Sequence, residues 1–139
     1  MRMWIVALML VLTGCGSVAE TPMGSHLPAE DQTVVAVTTV GEAGRGEDIF
    51  RHGAGGAPGC INCHALTPGA FAMGPDLHGI YARAATREAG VSADDYIRQS
   101  ILQPDEFLTP GYRDMMYRQY AEALTEQDIA DLIAFLAAL

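Results

Sequence analysis

Two thiols and an imidazole stand together near the middle of the sequence, as Cys60-Ile61-Asn62-Cys63-His64. Two intervening residues complete about one helical turn. Both sulfurs can therefore form thioethers along one edge of a porphyrin, and the next residue aims its imidazole at the iron. Cys-x-x-Cys-His is the attachment pattern of a c-type haem. Three other chemistries of the same residues are weaker. A dithiol redox pair belongs in a strand-helix context, and no such alternation surrounds it. A zinc site needs two further ligands at suitable spacing, yet the remaining histidines are His26, His52 and His78, and Cys15 is better explained as a lipid anchor. A disulfide between Cys60 and Cys63 would close too small a loop to stabilise much. One covalent haem c also supplies apolar bulk that a small domain lacks.

The iron takes a second axial ligand, for which soft thioether sulfur or imidazole is usual in electron carriers. Met23 and His26 fall in an N-terminal tether, and Met73 and His78 are too near Cys63 in sequence to cross easily to the other haem face. Met115-Met116 lie in the irregular segment Leu108 to Tyr120, far enough along to fold over that face. Two adjacent methionines in a polar, Tyr-rich loop do not have core spacing.

Three helices are expected to position these groups. Gly44 to His52 (GRGEDIFRH) suits a short helix with acids in its first turn, broken by Gly53 to Gly59. Ser92 to Leu102 has the N-cap pair Ser92 and Asp95, a shared face of Ile97 and Ile101, and Pro104 beyond its end. Thr125 with Asp128 repeats the start signal, and Ile129, Leu132, Ile133, Leu136 and Leu139 recur at helical steps. No alternating strand pair is present, so the fold class is small all-α with long loops.

The N-terminus has a different task. Eleven of the first 14 residues are apolar, and Arg2 precedes the run Met3 to Leu12, which is the order of an export signal. A membrane span needs roughly 20 apolar residues. Leu12-Thr13-Gly14-Cys15 resembles the lipobox of bacterial lipoproteins, in which the cysteine becomes the first mature residue and carries lipid. Residues 1–14 are then a removed signal peptide and 15–43 a lipid-anchored flexible tether, with an r.m.s. reach on the order of 30 Å. Within it, Val34 to Val40 (VVAVTTV) fits either an edge strand or an extended linker. The head, 44–139, would sit on the extracytoplasmic, periplasmic side of a bacterial membrane. Trp4, the single Trp, would leave with the signal.

The chain has 139 residues, 17 acids and 8 Arg with no Lys, for a formal charge of −9. This length suits one small domain, without room for a large enzyme with a deep substrate pocket. Acidic excess opposes phosphate binding, which excludes nucleic acid as a partner.

From Gly44 to Leu139 the residues resemble class I cytochromes c. Gly46-Glu47-Asp48-Ile49-Phe50 is similar to the family's first helix, where Gly admits a close crossing by the C-terminal helix, and Phe135 to its aromatic partner. Gly74-Pro75-Asp76-Leu77-His78-Gly79 is similar to the segment after the haem motif. The resemblance implies that the Pro75 carbonyl accepts from His64, that Arg83 lies near a haem propionate, and that His78 is not a ligand. Tyr96 to Pro104, then Pro110-Gly111-Tyr112, resemble the cytochrome c domain fused to subunit II of some terminal oxidases. That pattern implies Tyr112 at the cofactor and the axial Met five residues after the Gly, which selects Met116. The family usually has Pro directly after this Met; Tyr117 stands there instead, and Met115 stays as an alternative. The implied fold is three to five short helices around one covalently bound haem.

With His64 and Met116 both on iron, no position is open to a small-molecule substrate. The expected role is a one-electron carrier, not an enzyme, between membrane-bound donor and acceptor complexes such as a terminal oxidase, reductase or reaction centre. Two alternatives stand beside it: a haem subunit of a larger oxidoreductase complex, and a haem enzyme or gas sensor with a labile Met. Co-purification tests the first and a high-spin ferric spectrum would favour the second. Without Lys, docking calls for a basic or neutral partner surface.

Overall fold

A computed structural model describes residues 39–70 and 72–139. The expected signal peptide, Cys15, most of the tether and Val34 to Thr38 lie outside the described residues; Thr39 and Val40 are not in a strand. The described part is helical: α1 (Ala43–His52), a 3-10 turn (Cys60–Asn62), α2 (Ile80–Ala84), α3 (Ala93–Leu102), α4 (Tyr120–Ala123) and α5 (Glu126–Ala137). Among the described residues no strand occurs, and no helix is long and apolar enough to cross a membrane.

The start signals act through side-chain bonds. Ser92 Oγ accepts from the Asp95 N–H at 3.1 Å. Thr125 Oγ1 accepts from the Asp128 N–H at 3.2 Å, and Asp128 Oδ2 accepts from the Thr125 N–H at 2.9 Å, a reciprocal capping box. The Thr125 hydroxyl, which donates to Asp128 Oδ2 at 2.7 Å, holds that carboxyl below its usual range with help from the Thr125 N–H, while partial burial acts the other way. α1 begins one residue earlier than expected, at Ala43. Glu47 and Asp48 therefore fall in its second turn, and the first turn holds no acid.

The frame is the crossing of α1 and α5. A Cβ on Gly46 would lie 2.0 Å from the Asp131 carbonyl oxygen and 2.8 Å from the Phe135 Cβ, so only Gly allows this approach. Phe50 is fully buried, and its ring centroid is 5.4 Å from that of Phe135. Asp131, also fully buried, accepts from the Glu42 N–H at 2.7 Å and from Gln127 Nε2 at 2.8 Å, and its Oδ2 is 3.3 Å from Arg45 Nε. Gln127 Nε2 donates to the Val40 carbonyl as well, at 3.0 Å. Val40 to Glu42, counted with the tether by composition, thus rest on α5.

Ile129, Leu132, Ile133 and Leu136 are buried as the periodicity requires, and Leu139 is half-buried beyond the helix end. Phe135 faces α1, whereas Leu132 and Leu136 line a cavity. α5 is therefore apolar on two sides. α2 and α4, five and four residues long, carry no periodicity to detect.

Candidate functional site

The Cys60 carbonyl accepts from both the Cys63 N–H (3.0 Å) and the His64 N–H (2.9 Å), which closes the motif into a single tight turn. Gly59 seats it against α1, since a Cβ there would be 2.5 Å from the Arg51 carbonyl oxygen. Cys60 and Cys63 are half-buried and not joined to each other. Burial pushes the Cys60 thiol up, partly opposed by a hydrogen bond with Tyr120.

His64 is held by the loop that follows. Its Nδ1 is 2.8 Å from the Pro75 carbonyl oxygen, so the ring donates there and Nε2 is left for a metal. Burial lowers the imidazole pKa and the Pro75 bond partly restores it. Gly74 makes the arrangement possible: a Cβ on it would lie 2.5 Å from His64 Cε1 and 2.8 Å from Nδ1. The Gly74 N–H bonds the Cys63 carbonyl and the Leu77 N–H the Ala65 carbonyl, each at 2.8 Å, which stitches this loop to the motif.

These groups open on one cavity of about 320 Å³. Ile97 and Ile101 of α3, Leu132 and Leu136 of α5 and residues of the loop after Pro104 are among its lining. Met115 and Met116 both line it, but Met116 is half-buried against the core and Met115 is 58% exposed. Tyr112 lines it too, just after Gly111, whose φ of 91° turns the chain there. Met73 also reaches the lining, despite its nearness to Cys63 in sequence.

Arg83 is placed elsewhere. It does not line the cavity; its guanidinium donates to the Asp76 carbonyl at 2.7 Å and to the His78 carbonyl, so it braces the loop that holds His64. Arg113 is the arginine in the lining. His78 contributes its carbonyl, and His52 is exposed on α1 with Nδ1 3.1 Å from the Asp48 carbonyl. Met23 and His26 lie outside the described residues. Sequence reasoning missed Tyr120, a buried residue whose hydroxyl donates to the Pro58 carbonyl at 2.9 Å. Burial, first, and the neighbouring thiols push its phenol well up. Nothing in its local pattern distinguishes it from the other tyrosines of the loop. Gly74 was detectable only as the residue before Pro75.

The residues present fit a haem. Two thiols on one turn can bond the edge of a flat apolar macrocycle, a half-buried imidazole with Nδ1 occupied can ligate its iron, and the cavity beside them is lined mainly by aliphatic and aromatic side chains. Among the described residues no group of three or more His, Cys, Asp or Glu is placed to hold a metal ion. A small helical domain of this construction is a covalent haem protein. The family model for cytochrome c matches residues 43–139, and the chain belongs to that family. Membership brings covalently bound haem c with its iron, and haem-based electron transfer. No curated protein matches the chain.

Proposed function

We propose that the protein is a class I-type carrier, lipidated at Cys15, that passes single electrons between membrane-bound redox complexes through iron ligated by His64 and Met116. When bound, the haem supplies an iron that changes oxidation state by one electron. The chain's part is to hold and shield it. His64 is oriented through Pro75 and cleared by Gly74. Met116 supplies a soft sulfur that favours the reduced state. Ile97, Ile101, Leu132 and Leu136 exclude water from the cavity. With His64 and Met116 both holding the iron, no position on it would be left for a substrate. The observation that carries the reading is the difference between the adjacent methionines: Met116 packs on the core beside the cavity, and Met115 faces solvent.

The test replaces each in turn. Met116→Ala should abolish the weak red-region charge-transfer band of the ferric protein and lower its potential, whereas Met115→Ala should leave both nearly intact. The reverse result refutes the assignment. A head on a tether gains effective concentration at its partners, and pull-down after mild detergent extraction would identify the donor and acceptor.

A further inference from the structure

We infer that Tyr117 is a positioning residue for Met116: its ring clamps the loop carrying the sulfur onto α4, which is itself fixed to the segment leading into the attachment turn. The inference rests on the reading of Met116 as the axial ligand. Tyr117 follows Met116 directly, and no proline ring fixes φ at that position. A chain of contacts stands in its place. The rings of Tyr117 and Tyr120 meet edge to face, with centroids 5.0 Å apart and planes at 72°. Tyr120 is buried, and its hydroxyl bonds the Pro58 carbonyl at 2.9 Å, two residues before Cys60. The loop around Gly55 backs onto the same helix, for a Cβ on Gly55 would lie 1.9 Å from the Ala123 carbonyl oxygen. From Met116 the route runs through one peptide bond to Tyr117, one ring contact to Tyr120 and one hydrogen bond to Pro58. It ends beside the first thiol.

A second restraint lies next to it. Arg118 pairs with Asp105 at 2.9 Å and with Asp114, and so ties the loop two residues before Met116 to the turn after α3. These charged groups are largely exposed, and such pairs contribute little and weaken with salt. The aromatic contact depends on dispersion and ring quadrupoles, which salt does not screen. At moderate ionic strength the Tyr117 clamp is therefore the stronger of the two.

Displacement of the Met116 sulfur by added imidazole, followed through loss of the red-region band in the ferric holoprotein, tests this. Tyr117→Ala should bind imidazole about three- to tenfold more tightly than wild type, matching the loss of one aromatic pair. Tyr117→Phe should behave like wild type, and the difference should persist in high salt. A merely structural role would lower the urea midpoint of Tyr117→Ala and leave imidazole affinity unchanged; that outcome overturns the inference. Should Tyr117→Ala not fold, Tyr120→Phe removes the Pro58 bond and keeps the ring pair. It should move imidazole affinity in the same direction, and no movement counts equally against the clamp. The underlying ligand assignment fails separately, if wild type lacks the band or Met116→Ala keeps it. If those two behave as expected and the tyrosine variants match wild type, only the positioning role is lost.

Discussion

A methyl group at residue 74 would occupy the space that His64 needs. In Gly74→Ala the new Cβ would fall within 3.0 Å of three atoms of the imidazole, so the ring must turn and give up its 2.8 Å bond to Pro75. Overpacking of this kind costs about 1–3 kcal/mol. Gly74→Ala should lower the thermal midpoint and reduce the yield of low-spin haem per polypeptide; normal haem content with an unshifted midpoint would mean that the loop gives way easily. The thioether cysteines and the histidine were legible at this scale, because their chemistry depends on spacing within one turn. Gly74 was not, since its reason is a ring ten residues away in sequence. Arg83 shows the same limit: the resemblance implied only a propionate neighbour, and the bonds of its guanidinium to the Asp76 and His78 carbonyls had no local signal.

Two of the three helices that signalled themselves, α3 and α5, did so through caps and at least two turns of periodicity. Ser92 and Thr125 each bond an N–H three residues on, and α3 and α5 begin where they indicate. The capping box carries a pH dependence. The Thr125 bonds depress the Asp128 carboxyl in the folded state, so the stability it contributes is complete above the ordinary aspartate value and is lost as pH falls through the lowered one. Asp128→Ala should cost about 1 kcal/mol at neutral pH, and the gap in urea midpoint should narrow in acid. A constant gap would show that the ionised carboxylate contributes nothing. α2 and α4 escaped detection because a single turn has no period, and α4 matters most for the loop that holds Met116. Its place depends on Tyr120, Pro58 and the close approach of Gly55 to Ala123, none of which is a local pattern.

Over the whole molecule, the way the chain enters the head matters as much as the cavity. Gln127, Ala130 and Ala134 meet Val40 and Gly41 on one side of α5, and Leu132 and Leu136 line the cavity from the other. The chain therefore arrives on the side of α5 away from the haem site. Cys15→Ser should move the haem protein from the membrane to the soluble fraction, and a variant still sedimenting with membranes would count against the anchor. The acidic charge and the absence of Lys were plain from composition, and the covalent cofactor from the Cys60-x-x-Cys63-His64 spacing, which depends on residues adjacent in sequence. The helical class was equally plain, from local caps and periodicity. Only the tertiary structure decided which methionine is half-buried against the core, which carbonyls Arg83 bonds and what the Tyr117 ring packs against. Those answers come from contacts between segments distant along the chain, where packing and burial override local pattern.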